Sequence, residues 1–134
     1  MSRIKILFLL ITLTPLAAQA QGKVPEGVNL AFKAGNAEAL AAYFNEDVEL
    51  VILDQEDVYS RKQAEQIMRK FFTDHRPVAF KVIFGSGKEV SRYAIGSLET
   101  KQGTFRVYLL IKDQDGKPLI HLLRIDREDD EESI

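Results

Sequence analysis

Arg106, Tyr108, His121 and Arg124 bring charge, an aromatic hydroxyl and a titratable ring to the last third of this chain. Their grouping depends on one turn. If Asp113-Gln114-Asp115-Gly116 is a type I turn followed by a left-handed glycine bulge, Asp113 stands opposite Lys117 on two paired strands. Counting back from that turn sets Arg106 opposite Arg124, with Tyr108 beside Leu122. Two guanidinium groups face to face are unfavourable unless something anionic lies between them. That arrangement points to a site for an anion or a carboxylate ligand. The plainer expectation is that an acid of the chain, such as Asp126 or Glu99, neutralises the pair. A two-residue turn at Asp115-Gly116 would instead shift the register by one and dissolve the pair.

The remaining reactive residues are sparse. His121 lies between Ile120 and Leu122 and reads as a hydrogen-bonded core or cavity-wall histidine, with a catalytic base as the alternative. His75, in Thr73-Asp74-His75-Arg76-Pro77, sits where a helix ends and suits a capping role there. The chain has no Cys, and its two His fall on separate elements, so no metal site and no cofactor are expected. No Ser occupies the Gly-x-Ser-x-Gly setting of a nucleophile elbow. Gly85-Ser86-Gly87-Lys88 is too short for a phosphate loop and reads as a turn between strands.

These residues are carried by a simple succession of elements. Pro25 precedes a short helix with Val28, Ala31 and Phe32 on one face. Gly35 can cap it, and Asn36 can start a second helix carrying Leu40, Tyr43 and Phe44. Asp47 to Leu53 alternates as a strand. Asp54 to Asp57 reads as a turn, with Val58-Tyr59 a brief extended pair. Ser60 with Gln63 forms a capping box. The helix it opens bears the stripe Ala64, Ile67, Met68, Phe71 and Phe72, and Pro77 stops it. Four strands in hairpin succession follow: Val78–Phe84, Glu89–Thr100, Phe105–Lys112 and Leu119–Asp126. Gly96, inside the second of these, marks a bulge or bend. The order α-α-β-α-β-β-β-β predicts an α+β domain whose antiparallel sheet curls around the third helix.

The stretches Ser60 to Ile67 with Phe71-Phe72, Tyr93-Ala94-Ile95-Gly96, Phe105-Arg106-Val107-Tyr108 and Leu119 to Ile125 resemble the nuclear transport factor 2-like superfamily. Within it the chain is similar to a family of short exported bacterial domains without assigned function. The resemblance implies the cone-shaped fold shared with ketosteroid isomerase and scytalone dehydratase. It transfers no catalytic residue. The isomerase mechanism needs a carboxylate base and acidic donors facing each other in a dry pocket. Here Glu49 alternates outward, Glu99 nears a turn and Asp126 ends a strand. Tyr43, Tyr59, Tyr93 and Tyr108 read as walls before they read as acids.

The N-terminus supplies an address. Arg3 and Lys5 precede the apolar run Ile6 to Ala18, and Ala18-Gln19-Ala20 has the small-x-small form of a cleavage site. Residues 1–20 read as a secretory signal peptide, whose apolar run of thirteen residues is too short to span a membrane as a helix. Its removal leaves a single domain over 21–127 and an acidic tail, 128–134. Sixteen Lys and Arg then stand against 20 Asp and Glu, a net charge of −4 that offers nothing to nucleic acid. The expectation is an exported, periplasmic or extracellular, non-catalytic module. It would bind a small molecule or a protein partner through the cone cavity or the sheet face, with Arg106, Tyr108, His121 and Arg124 as ligand-binding candidates. The alternatives are a small-molecule lyase or isomerase using His121 and a pocket Tyr, and a dimeric scaffold joined through its sheet.

Overall fold

The computed structural model describes residues 23–129, so the expected signal peptide over residues 1–20 and the end of the acidic tail lie outside the described residues. Helix α1 (Glu26–Ala34) starts after Pro25 and ends on Gly35, whose φ of 63° is the left-handed conformation that glycine takes without strain. Asn36 opens α2 (Ala37–Ala41) by accepting a hydrogen bond from the Ala39 N–H. This helix is shorter than its apolar spacing suggests. Phe44, expected on its face, instead begins strand β1 (Phe44–Ile52), where it is fully buried.

The expected extended pair at Val58-Tyr59 proves to be a full strand, β2 (Gln55–Ser60), so the sheet has six strands. Its residues are nearly all exposed, which removes the apolar alternation by which a strand is recognised. Ser60 and Gln63 form both halves of the capping box that starts α3 (Arg61–Asp74). Strand β3 (Pro77–Lys88) includes Gly85-Ser86-Gly87, where a turn is expected, and the chain reverses instead at Glu89-Val90. Strands β4 (Ser91–Thr100), β5 (Gly103–Gln114) and β6 (Lys117–Arg127) complete the sheet. The order is β2-β1-β6-β5-β4-β3. All neighbours are antiparallel except β1 and β6.

The sheet wraps one face around the helices. Phe105, Val107, Leu109 and Ile111 of β5 are buried on that inner face, as are Leu123 and Ile125 of β6. They meet Ala64, Met68, Phe71 and Phe72 of α3. The aromatic rings fill the space between layers. Phe32 of α1 stacks on Phe80 of β3 at 4.6 Å, and Phe71 meets Phe105 edge-on at 5.3 Å. Gly96 allows one of these contacts: a Cβ there would lie 2.5 Å from the Phe80 ring. The register shift lies opposite it, on β3, between Val82 and Phe84. No helix of the described residues is long and apolar enough to cross a membrane.

Candidate functional site: the outer face of the sheet

The turn that decides the site has two central residues, not three. Gln114 pairs with Lys117, and Asp115 and Gly116 both have positive φ, 50° and 78°. Two successive left-handed residues make the mirror-image turn that matches strand twist, and Asp-Gly is a preferred sequence for it. The bulged three-residue turn is therefore corrected, and with it the opposed arginines.

A second irregularity then acts on the register. Leu110 pairs with Leu122 but Ile111 pairs with Ile120, which leaves His121 as an extra residue on β6. With the two-residue turn alone, Val107 would oppose Arg124, and a guanidinium would point into the core. The His121 bulge restores the parity. Leu123 and Ile125 face inward, while Leu122, Arg124 and Asp126 share the outer face with Leu110, Tyr108 and Arg106.

The result separates the two positive charges. Arg106 stands opposite Asp126, and its guanidinium Nη2 donates to Glu128 at 3.1 Å. Arg124 stands opposite Tyr108 and lies 5.9 Å from that ring's centre. Its Nε donates to Asp126 at 2.7 Å. The expectation that a chain acid neutralises the pair holds, with Asp126 between them. Glu128, counted with the tail, serves the same network.

Around this network lies an apolar and aromatic surface. Tyr93 of β4 sits across from Leu110, its ring 6.2 Å from that of Tyr108. Ile95 sits between Tyr108 and Phe84. Phe84 is 52% exposed and Ile83, the extra residue of the β3 bulge, 46%. At the other edge Val58 is 61% exposed. His121 is half-buried beside this surface. Burial, and secondarily the Lys112 ammonium, lower the pKa of its imidazole. Its Nε2 is buried without a hydrogen-bond partner among the described residues.

All four candidate residues thus gather on or beside the outer face, and none lines the inner one. Tyr43 and Tyr59 pack against the core from elsewhere. His75 caps α3 as expected, its backbone N–H donating to the Phe71 carbonyl at 2.8 Å, and its ring stacks on Phe71. Among the described residues no group of His, Asp and Glu is arranged to hold a metal.

The sequence reading missed Arg92. It lies on the inner face and is the one charged side chain among the buried described residues. Its Nε donates to the Lys23 carbonyl at 2.6 Å, and its Nη1 to the Glu89 carbonyl at 2.6 Å and to Asp113 at 2.9 Å. It thereby ties the N-terminal segment to two hairpins. The available signal was its place at an inward position of β4, two residues before Ala94.

Comparisons with known proteins agree with this architecture. A family model described as a domain of unknown function, DUF4783, matches residues 25–126. A DUF4783 protein from Bacteroides fragilis is 36% identical, over 78% of this chain and 99% of its own, with a TM-score of 0.74. More distantly, a domain of unknown function with a cystatin-like fold from Nostoc punctiforme is 16% identical, over 81% of each chain, at a TM-score of 0.62. A chain named Rd1NTF2_04 with long sheet is 15% identical, over 75% of this chain and 94% of its own, at 0.60. No curated protein matches the chain. With α1 to β6 covered by the family match and the sheet order in hand, the chain belongs to the DUF4783 family and has the nuclear transport factor 2-like fold.

Proposed function

We propose that this protein is an exported, non-catalytic module that binds a protein partner through the outer face of its sheet. The observation that carries this reading is the continuous surface of Tyr93, Ile95, Tyr108, Leu110 and Leu122, extended by the exposed Phe84. An apolar surface rimmed by charges is the form an interaction site takes. Tyr108 and Arg124, of side-chain types enriched at such sites, stand opposite each other on β5 and β6. The inner face offers less to a ligand, because packed rings occupy it. Export is supported by the Arg3, Lys5, Ile6 to Ala18 and Ala18-Gln19-Ala20 pattern.

A second copy of the chain is a partner that this surface also fits. Acids on the β1–β2 side, Glu49 and Glu56, and a base on β3, Lys81, give it both signs of charge.

The test is site-specific photocross-linking in cells that express the full chain. A photoreactive residue at Leu110 should give one discrete adduct, and the same residue at Leu30, exposed on α1, should give none. An adduct of twice the mature mass identifies a second copy, and any other discrete mass a different partner. No adduct at Leu110, or equal adducts at both positions, would refute the reading.

A further inference from the structure

We infer that a second site, independent of the outer face, binds a small, planar, uncharged molecule in the cleft between α3 and the β1–β2 turn. The cleft is open to solvent, has a volume of about 570 Å³ and is lined by Ile52, Leu53, Ile67, Phe71 and His75, with Gln55 and Gln66 among its polar residues. That volume is in the range of small-molecule sites, and Ile52, Leu53, Ile67 and Phe71 give the cleft an apolar floor beneath a polar and charged rim. The cleft is not the interior of the cone. Phe71 and Ile52, at 4% and 7% exposure, form its floor, and the packed core lies beneath them.

Two features mark this cleft as more than a surface irregularity. The first is Leu53. Its φ is 56°, a left-handed conformation that a branched apolar residue adopts only under strain. Its N–H donates to the Ile125 carbonyl at 2.9 Å, which holds the turn in that form. A glycine would sit there unstrained, but it would leave the cleft without one apolar wall. The second feature is a fixed aromatic wall. The His75 ring stacks on Phe71 with centroids 4.7 Å apart and meets the Phe105 ring edge-on at 5.0 Å. Both contacts resist rotation of the imidazole.

The ligand class follows from the chemistry of the lining. The Nδ1 of His75 lies 3.2 Å from the Phe71 carbonyl, an acceptor, so Nδ1 carries the proton there. In the neutral ring Nε2 is then an acceptor. At the rim Lys70 pairs with Asp74 at 3.0 Å, which leaves the negative charge of Asp54. An anion would be repelled. A flat ring that lies on Ile67 and Leu53 and carries one N–H or O–H donor fits.

Indole is the probe. Titrated into the 15N-labelled domain, it should give saturable shifts confined to the amides of Leu53, Gln66, Ile67, Phe71 and His75. 1-Methylindole, which lacks the donor, should bind about threefold to tenfold more weakly. Leu53→Gly relieves the left-handed strain while deleting the wall. Relief of the strain offsets part of the packing that Leu53 loses against the core, so the variant should stay folded with at most a modest fall in melting temperature, and indole should weaken at least about fivefold. Shifts centred on Tyr93, Tyr108 or the α1 surface would overturn the site, as would shifts that do not saturate within the solubility of indole. So would undiminished binding to the folded Leu53→Gly variant.

Discussion

Arg106 stands opposite Asp126, and Arg124 reaches along its own strand to bond that same carboxylate at 2.7 Å. One acid therefore separates two guanidinium groups that a different turn would have set face to face. The Asp126 side chain is 18% exposed and that of Arg124 53%, so solvent screens part of the attraction.

Asp126→Asn should cost about 1 kcal/mol, more than an ordinary surface pair, because Arg106 loses its facing acid as Arg124 loses its bond. Phosphate should do little for the wild type at matched ionic strength and should recover part of the loss in Asp126→Asn. A rise of several degrees in wild-type melting temperature, abolished in Arg106→Gln, would show instead that the pair binds anions directly.

His121 should make the fold sensitive to acid. Its folded pKa is lowered from the ordinary 6.5, so the folded state takes up a proton less readily than the unfolded chain. Its contribution is fully present above about pH 6.5 and declines as pH falls below that value. Urea midpoints at about pH 7.5 and about pH 5.5 should differ more for the wild type than for His121→Gln. An equal pH dependence in both would remove the histidine as the cause.

The third helix should anchor the core. Phe71→Ala and Phe72→Ala each delete a ring that is 4% exposed and touches other rings. Each should cost about 3 to 5 kcal/mol in chemical denaturation. Losses below about 1 kcal/mol at both positions would contradict the packing described.

Arg92→Met should release the N-terminal segment. The change leaves the Lys23 and Glu89 carbonyls and the Asp113 carboxylate without their donor. A cost of about 2 to 4 kcal/mol is expected. Amide exchange at Val24, buried in the wild type, should accelerate more than exchange at Val107. Equal acceleration at both would mean that Arg92 supports the whole fold and not the strap in particular.

Local signals determined the helices and most of the strands, because those signals act through neighbours in the chain. The capping box of Ser60 and Gln63, the left-handed cap at Gly35 and the apolar stripe of α3 depend on residues three or four apart. Alternation of buried and exposed residues exposed β5 in the same way. Strand β2 escaped notice because an exposed edge strand carries no such alternation. The candidate surface was legible as a set of residue types, Arg106, Tyr108, His121 and Arg124, but not as an arrangement. Which side chain opposes which was decided by a two-residue turn and a single bulged residue, acting together across β5 and β6. Each shifts the register by one, and the two shifts combined return Arg124 to the solvent side. That outcome depends on the burial of Leu123 and Ile125 beneath the sheet. Only the packed tertiary structure imposes that condition, since no local preference in Leu119 to Asp126 states which of its apolar residues must face inward.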